Sequence, residues 1–201
     1  MKKQPGFTII ELMITIAVLG VGLAIAVPQL NQFILNNQLV SQINTLNSSL
    51  ALARSEAVKQ NQLTVVCVSS NGEDCATATD WTAGWMVFVD RNGDLAPDFG
   101  GDGCAEDSTD DCLVAVESPV FGTSTLVGGD GVPALIAFNG TGVARCDAND
   151  DGTTEACVVE DTYFTLCDQR GADHARALSI SQTGRTSPIQ TTPAGDPLEC
   201  P

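Results

Sequence analysis

Basic side chains are scarce in this sequence: Lys and Arg number 9 against 25 Asp and Glu over 201 residues, a formal net charge of −16. That balance argues against broad binding to nucleic acid or to anionic lipid headgroups, since both partners are polyanions. Histidine is scarcer still. The single His174 sits between Asp173 and Ala175 in a polar stretch, with no nearby serine or cysteine motif that would make it a general base. No G-x-S-x-G, H-E-x-x-H or phosphate-loop pattern occurs, so the common nucleophilic, zinc-peptidase and nucleotide-hydrolysing chemistries lack their residues. Paired carboxylates do occur, but chains crowded with acids contain such pairs by chance. The sequence therefore points away from an enzyme.

Cysteine is present in quantity but never as C-x-x-C, which weakens zinc-ribbon and thioredoxin-like readings. Cys67, Cys75, Cys104, Cys112, Cys146, Cys157, Cys167 and Cys200 make an even set, all beyond the first third of the chain. Such a set suits disulfides in an oxidising compartment, the alternative being reduced, buried thiols. Of roughly a hundred possible connectivities, proximity favours the sequential one: Cys67 with Cys75, Cys104 with Cys112, Cys146 with Cys157, and Cys167 with Cys200.

Long apolar runs are absent except at the start, where residues 7–27 read FTIIELMITIAVLGVGLAIAV. This run is long enough to cross a bilayer core of about 30 Å as a helix. Lys2 and Lys3 precede it, which predicts a cytoplasmic N-terminus and an exported body. Ala24-Ile25-Ala26 would also satisfy an ordinary signal-peptide cleavage rule, leaving a soluble, secreted, disulfide-rich domain. Against that reading stands Glu11, an acid inside the apolar run where an ionised carboxylate is expensive to bury. A discarded signal has no use for it; a retained helix does if a cation meets it. Beyond Pro28, Leu39, Ile43, Leu46, Leu50, Ala53 and Ala57 recur at steps of four and three, one apolar stripe on an otherwise polar helix. Residues 7–60 are thus expected to form one helix of roughly 80 Å, kinked at Pro28.

Gly6-Phe7-Thr8-Ile9-Ile10-Glu11 resembles the type IV pilin processing site. The resemblance implies cleavage between Gly6 and Phe7 by a prepilin peptidase and N-methylation of Phe7. It also implies an assembly role for Glu11 as partner of a neighbouring subunit's terminal amine, and a kink at Pro28. Further along, Leu52-Ala53-Arg54-Ser55-Glu56-Ala57-Val58-Lys59 and Trp81-x-x-Gly84-Trp85-Met86-Val87-Phe88-Val89-Asp90-Arg91-Asn92-Gly93-Asp94 resemble the minor pseudopilins of the type II secretion protein H family and the related FimT/FimU minor pilins. Matches continue at Leu166-Cys167-Asp168 and Gly184-Arg185, while the acidic loops lie outside the resemblance. A minor pilin or pseudopilin is implied, acting in filament assembly or priming and in protein secretion. It would be single-pass in a bacterial inner membrane with its C-terminal domain periplasmic. Its partners would be other pilins or pseudopilins, the prepilin peptidase and secreted cargo. The expected division is a leader at 1–6, a transmembrane and assembly helix at 7–27, an amphipathic continuation at 28–60 and an exported β-rich domain at 61–201.

After residue 60 the pattern changes to short β-branched runs at 63–68, 84–90, 113–117, 134–138, 162–167 and 177–181, separated by Gly, Asp, Asn and Pro clusters. An α+β fold follows, a long helix on a mostly antiparallel sheet, with Trp81 and Trp85 as packing residues. Between Cys146 and Cys157, Asp147, Asn149, Asp151 and Gly152 fit the opening of a calcium loop, with Glu155 or Glu160 standing in for the missing twelfth-position acid. Calcium is the only cofactor the sequence suggests. Asp90-Arg91-Asn92-Gly93-Asp94 with Asp98 fits less well, because Leu95 holds the glycine position. Some relatives of FimT type take up DNA through C-terminal arginines, and Arg170, Arg176 and Arg185 would be the equivalent basic face here. Loss of Lys2 and Lys3 on processing lowers 9 bases to 7 against 25 acids, a net of −18, so phosphate contacts would form against a strong opposing field. Nucleic acid is not the expected partner.

Overall fold

The computed structural model describes residues 6–77, 79–100, 104, 105, 108–129, 132, 134–146, 155–157 and 162–200. One helix, α1 (Ile9–Gln60), opens the chain. Its contacts assign it to two units, Met1–Gln38 and Leu39–Pro201. In the first unit every side chain from residue 6 to residue 34 is exposed, although nearly all are apolar. This is the one helix among the described residues that is long and apolar enough to cross a membrane. Helical structure continues unbroken through Pro28, which lacks the N–H that would bond back one turn.

In the second unit the helix buries the stripe read from the sequence: Leu39, Ile43, Leu46, Leu50, Ala53 and Ala57 all enter the main core. A period alternating between three and four keeps one face in register with what it covers. The helix stops where Asn61 takes a left-handed backbone (φ 52°), while the N–H of Gln62 reaches back to the Ala57 carbonyl at 3.2 Å.

Ten strands follow among the described residues: β1 (Leu63–Val68), β2 (Trp85–Asp90), β3 (Cys112–Glu117), β4 (Thr125–Gly128), β5 (Leu135–Phe138), β6 (Ala144–Cys146), β7 (Glu155–Ala156), β8 (Tyr163–Cys167), β9 (Arg176–Ile180) and β10 (Thr186–Ile189). They form two antiparallel sheets, ordered β3-β2-β1-β5-β6-β7 and β10-β9-β8-β4. Alternation sorts the side chains to two faces. Val66, Val68, Trp85, Val87, Ile136 and Phe138 of the larger sheet join Leu126, Phe164, Leu166, Leu178 and Ile180 of the smaller one beneath the helix. The opposite face of the larger sheet carries its own cluster around Val65, Cys67, Met86 and Phe88. Trp81 and Trp85 are fully buried, and Trp81 meets Phe164 edge-on at 4.9 Å.

The fold is α+β as expected, but the strands make two sheets rather than one. Six strands lie where the sequence placed them, within a residue or two. The four unanticipated ones are short or marginal, and three of them, β4, β7 and β10, lie at sheet edges. Two residues in β7 and three in β6 are too few to show alternation. Pro188 in β10 argues against a central strand but is tolerated at an edge, where only one side needs a donor. The cysteines pair sequentially: Cys67–Cys75, Cys104–Cys112, Cys146–Cys157 and Cys167–Cys200.

Candidate functional site

At the start of α1, Gly6 and Phe7 are exposed, and nothing lies within 4 Å of where a Cβ on Gly6 would stand. Glu11 does more locally than its burial cost suggested. Its Oε2 accepts hydrogen bonds from the Thr8 N–H (3.2 Å) and the Thr8 hydroxyl (3.1 Å), while the Glu11 N–H donates to Thr8 Oγ1 at 3.3 Å. This is a reciprocal capping box, which satisfies donors that a helix start leaves free. The signature for it, Thr8-Ile9-Ile10-Glu11, is present in the sequence. A carboxylate at the first turn also complements the positive end of the helix dipole.

The calcium residues Asp147, Asn149 and Asp151, and the side chain of Glu155, lie outside the described residues. Among the described residues, acids gather in the loop that fitted the motif less well. Carboxylate oxygens of Asp90, Asp94 and Asp111 come within 4.8 Å of one another, Asp90 and Asp111 being buried. Asp90 accepts from the N–H groups of Gly93 (2.6 Å) and Leu95 (3.0 Å); Asp111 accepts from those of Arg91 (2.9 Å) and Asp98 (3.0 Å). Asp94 accepts from the N–H of Ala96 (2.9 Å) and from the Asn92 side-chain amide (2.9 Å). Leu95, which the motif would have as glycine, takes the glycine conformation anyway, with φ 64°. Asp111, from the far end of the loop, supplies the third acid, and Asp98 contributes its backbone N–H rather than its carboxylate. Burial pushes the Asp111 carboxyl up from its ordinary value; the two backbone N–H groups oppose this, and the charges of Asp90 and Asp94 add to it. Three convergent carboxylates can hold a hard cation, and the same contacts also fold the loop.

The three arginines of the expected basic face are not brought to one groove. Arg170 turns onto Asp168, with Nη2 at 2.6 Å from Oδ2 and Nε at 2.9 Å, and both side chains are nearly buried. Burial alone would raise the Asp168 carboxyl, but the hydrogen bonds and charge of Arg170 outweigh it and hold it below its usual value. Arg176 lies on β9. Of the three, Arg185, in the turn between β9 and β10, lines an open groove, and there it meets Arg54 and Lys59 of α1. His174 is exposed in the short 3-10 turn Ala172–His174.

Comparison with known proteins agrees with this anatomy. Residues 1–27 match the prokaryotic N-terminal methylation motif. Two proteins of Pseudomonas aeruginosa, each described as a fimbrial protein, are 33% identical to the chain over 63 residues. That stretch is 31% of this chain and 41% of each relative, so the chain spans less than half the length of the curated relatives it matches. Crystal structures of the P. aeruginosa type IV minor pilin FimU share 23% and 22% identity with it. They align over 77% and 75% of this chain and 90% and 92% of theirs, at TM-scores of 0.48 and 0.46. Residues 42–184 match the family described as type II transport protein GspH, and the chain belongs to that family.

Proposed function

We propose that this protein is a minor pilin or pseudopilin, a membrane-anchored subunit of a type II secretion pseudopilus or type IV pilus. It would act structurally, in assembly or priming, with no chemistry of its own. One observation carries the reading: a methylation motif runs directly into a helix whose apolar side chains are all exposed from residue 9 to residue 34. Exposed apolar surface on that scale demands lipid or other apolar helices around it. In this reading a prepilin peptidase cuts between Gly6 and Phe7 and Phe7 is N-methylated. The body stands on the periplasmic side of the inner membrane until residues 7–27 pack among the helices of neighbouring subunits, with Pro28 marking the bend. Secreted cargo would meet the body rather than the helix.

Glu11 would then serve two ends, capping its own helix and neutralising the terminal amine of a neighbour. Glu11→Gln separates them, because glutamine completes a capping box without carrying charge. Filament incorporation is expected to fall for Glu11→Gln as far as for Glu11→Ala; incorporation at the wild-type level by Glu11→Gln would leave capping as the whole role. Intact mass measurement of the native polypeptide is expected to show N-methylated Phe7 as the first residue. A chain beginning at Val27 would replace this reading with that of a soluble secreted domain.

A second reading concerns the Asp90, Asp94 and Asp111 cluster, which is proposed to take calcium. Support comes from the 4.8 Å convergence of the three carboxylates and from the mutual repulsion that a cation would relieve. Calorimetric titration of the full chain in detergent should give saturable heat that Asp111→Asn abolishes. No heat at millimolar calcium would leave these acids as loop-folding groups only.

A further inference from the structure

We propose that the groove between the C-terminal part of α1 and the β9–β10 turn is a docking site for a short acidic peptide segment contributed by a neighbouring subunit. The groove is open, about 860 Å³ in volume, and is lined by Arg54, Ser55, Lys59, Thr141 and Arg185 among others, with no acidic residue in its wall. In a chain with 9 bases and 25 acids, three bases on one such surface are a marked concentration. Lys59 shares its charge with Glu56, 3.2 Å away, which leaves Arg54 and Arg185 as the uncompensated cations.

Arg54 is held in place. Its Nε donates to the Gly142 carbonyl at 3.0 Å, and the side chain lies against two turns whose glycines have left-handed backbones, Gly142 (φ 77°) and Gly184 (φ 72°). A Cβ at Gly184 would run into the Gly142 carbonyl oxygen and stand 3.0 Å from Arg54 Nε, so only glycine lets the turns close around the guanidinium. With Nε bonded to backbone, the terminal amino groups have no hydrogen-bond or ion-pair partner among the described residues. A guanidinium pre-set in this way can grip a carboxylate through two parallel bonds. Arg185 is exposed, and its guanidinium likewise has no partner among the described residues. Hydroxyls of Ser55 and Ser187 supply further donors beside these two cations.

Charge complementarity decides the class of occupant. Duplex DNA carries one charge about every 1.7 Å along its axis, so a bound duplex would extend past the groove into the field of the acidic surface. A short acidic segment meets the groove alone, since charges beyond a Debye length of about 8–10 Å are screened. The neighbouring subunit as its source rests on the filament reading; the groove's preference for a carboxylate-bearing peptide does not. The titration below can succeed or fail whatever the mass of the native N-terminus proves to be.

The test is fluorescence anisotropy with the full chain in detergent micelles and a labelled oligo-glutamate peptide. Oligo-lysine and a double-stranded DNA of similar length serve as comparisons. Saturable oligo-glutamate binding is expected, weakened about tenfold by R54Q/R185Q and less by R185Q alone. Because the exposed Arg185 side chain makes no hydrogen bond or ion pair among the described residues, R185Q keeps the test valid even where R54Q disturbs packing. Absence of saturable binding, or binding indifferent to R185Q in folded protein, would overturn the proposal. Tighter binding of DNA with the same sensitivity to R185Q would overturn it in favour of nucleic acid.

Discussion

Residues 9–34 and residues 39–60 belong to the same helix, α1, yet their apolar side chains have opposite fates. In the first stretch they point outward all around, and none is covered by the chain's own atoms. In the second a stripe from Leu39 to Ala57 is buried to 6% exposure or less at every position, while Val40, Leu52 and Val58 beside it stay exposed. Secondary structure is therefore no guide to what stabilises a segment. The first stretch depends on surroundings that the chain does not contain, whereas the second depends on two sheets that it does.

The largest way to break this comparison is to put a charge in each half. Leu50→Asp should prevent the body from folding, and the milder Leu50→Ala should cost about 2–5 kcal/mol in denaturant unfolding. Ile16→Asp should leave the unfolding midpoint of the body in detergent unchanged. It should instead weaken membrane insertion by about 2.5–3.5 kcal/mol, read as release into the soluble fraction. Equal effects of the two aspartates on the midpoint would show that the halves are not independent.

Smaller effects sharpen the contrast, because only the body carries buried carboxylates. Asp168 has a folded pKa below its ordinary value, so its contribution to stability is present at neutral pH and is lost as pH falls through that lowered value. Arg170→Gln should lower the midpoint at pH 7 and flatten the loss on acidification. Asp111 has a raised folded pKa, so its contribution is greatest in acid and disappears as pH rises through the ordinary carboxylate range to the raised value. Asp111→Asn should remove that second slope while leaving the first. Melting curves against pH for the two variants check both signs. Smallest of all, Pro28→Ala should move the body's midpoint by less than about 0.5 kcal/mol, since residue 28 lies in the exposed stretch.

What could be read from the sequence follows the same division. Leu39 to Ala57 were legible because a stripe with period between three and four has one structural meaning, and the apolar run at 7–27 because few soluble elements tolerate it. The acidic cluster was legible only in part, through Asp90 and Asp94. Asp111 lies far along the chain from Asp94, beyond the reach of any spacing rule, and Leu95 takes a conformation that its side chain disfavours. Arg54 was visible only as part of a family-like segment. Its tie to Arg185 needs a helix and a hairpin turn brought together by packing, which no local pattern announces.

The disulfide arrangement bears on biogenesis. Each cysteine joins the next one along the chain, at separations of 8, 8, 11 and 33 residues. For a body exported across a membrane beginning at its helix end, every thiol would thus meet its correct mate as the first newcomer. Oxidation in order of emergence would yield the native connectivity directly, without a reshuffling catalyst.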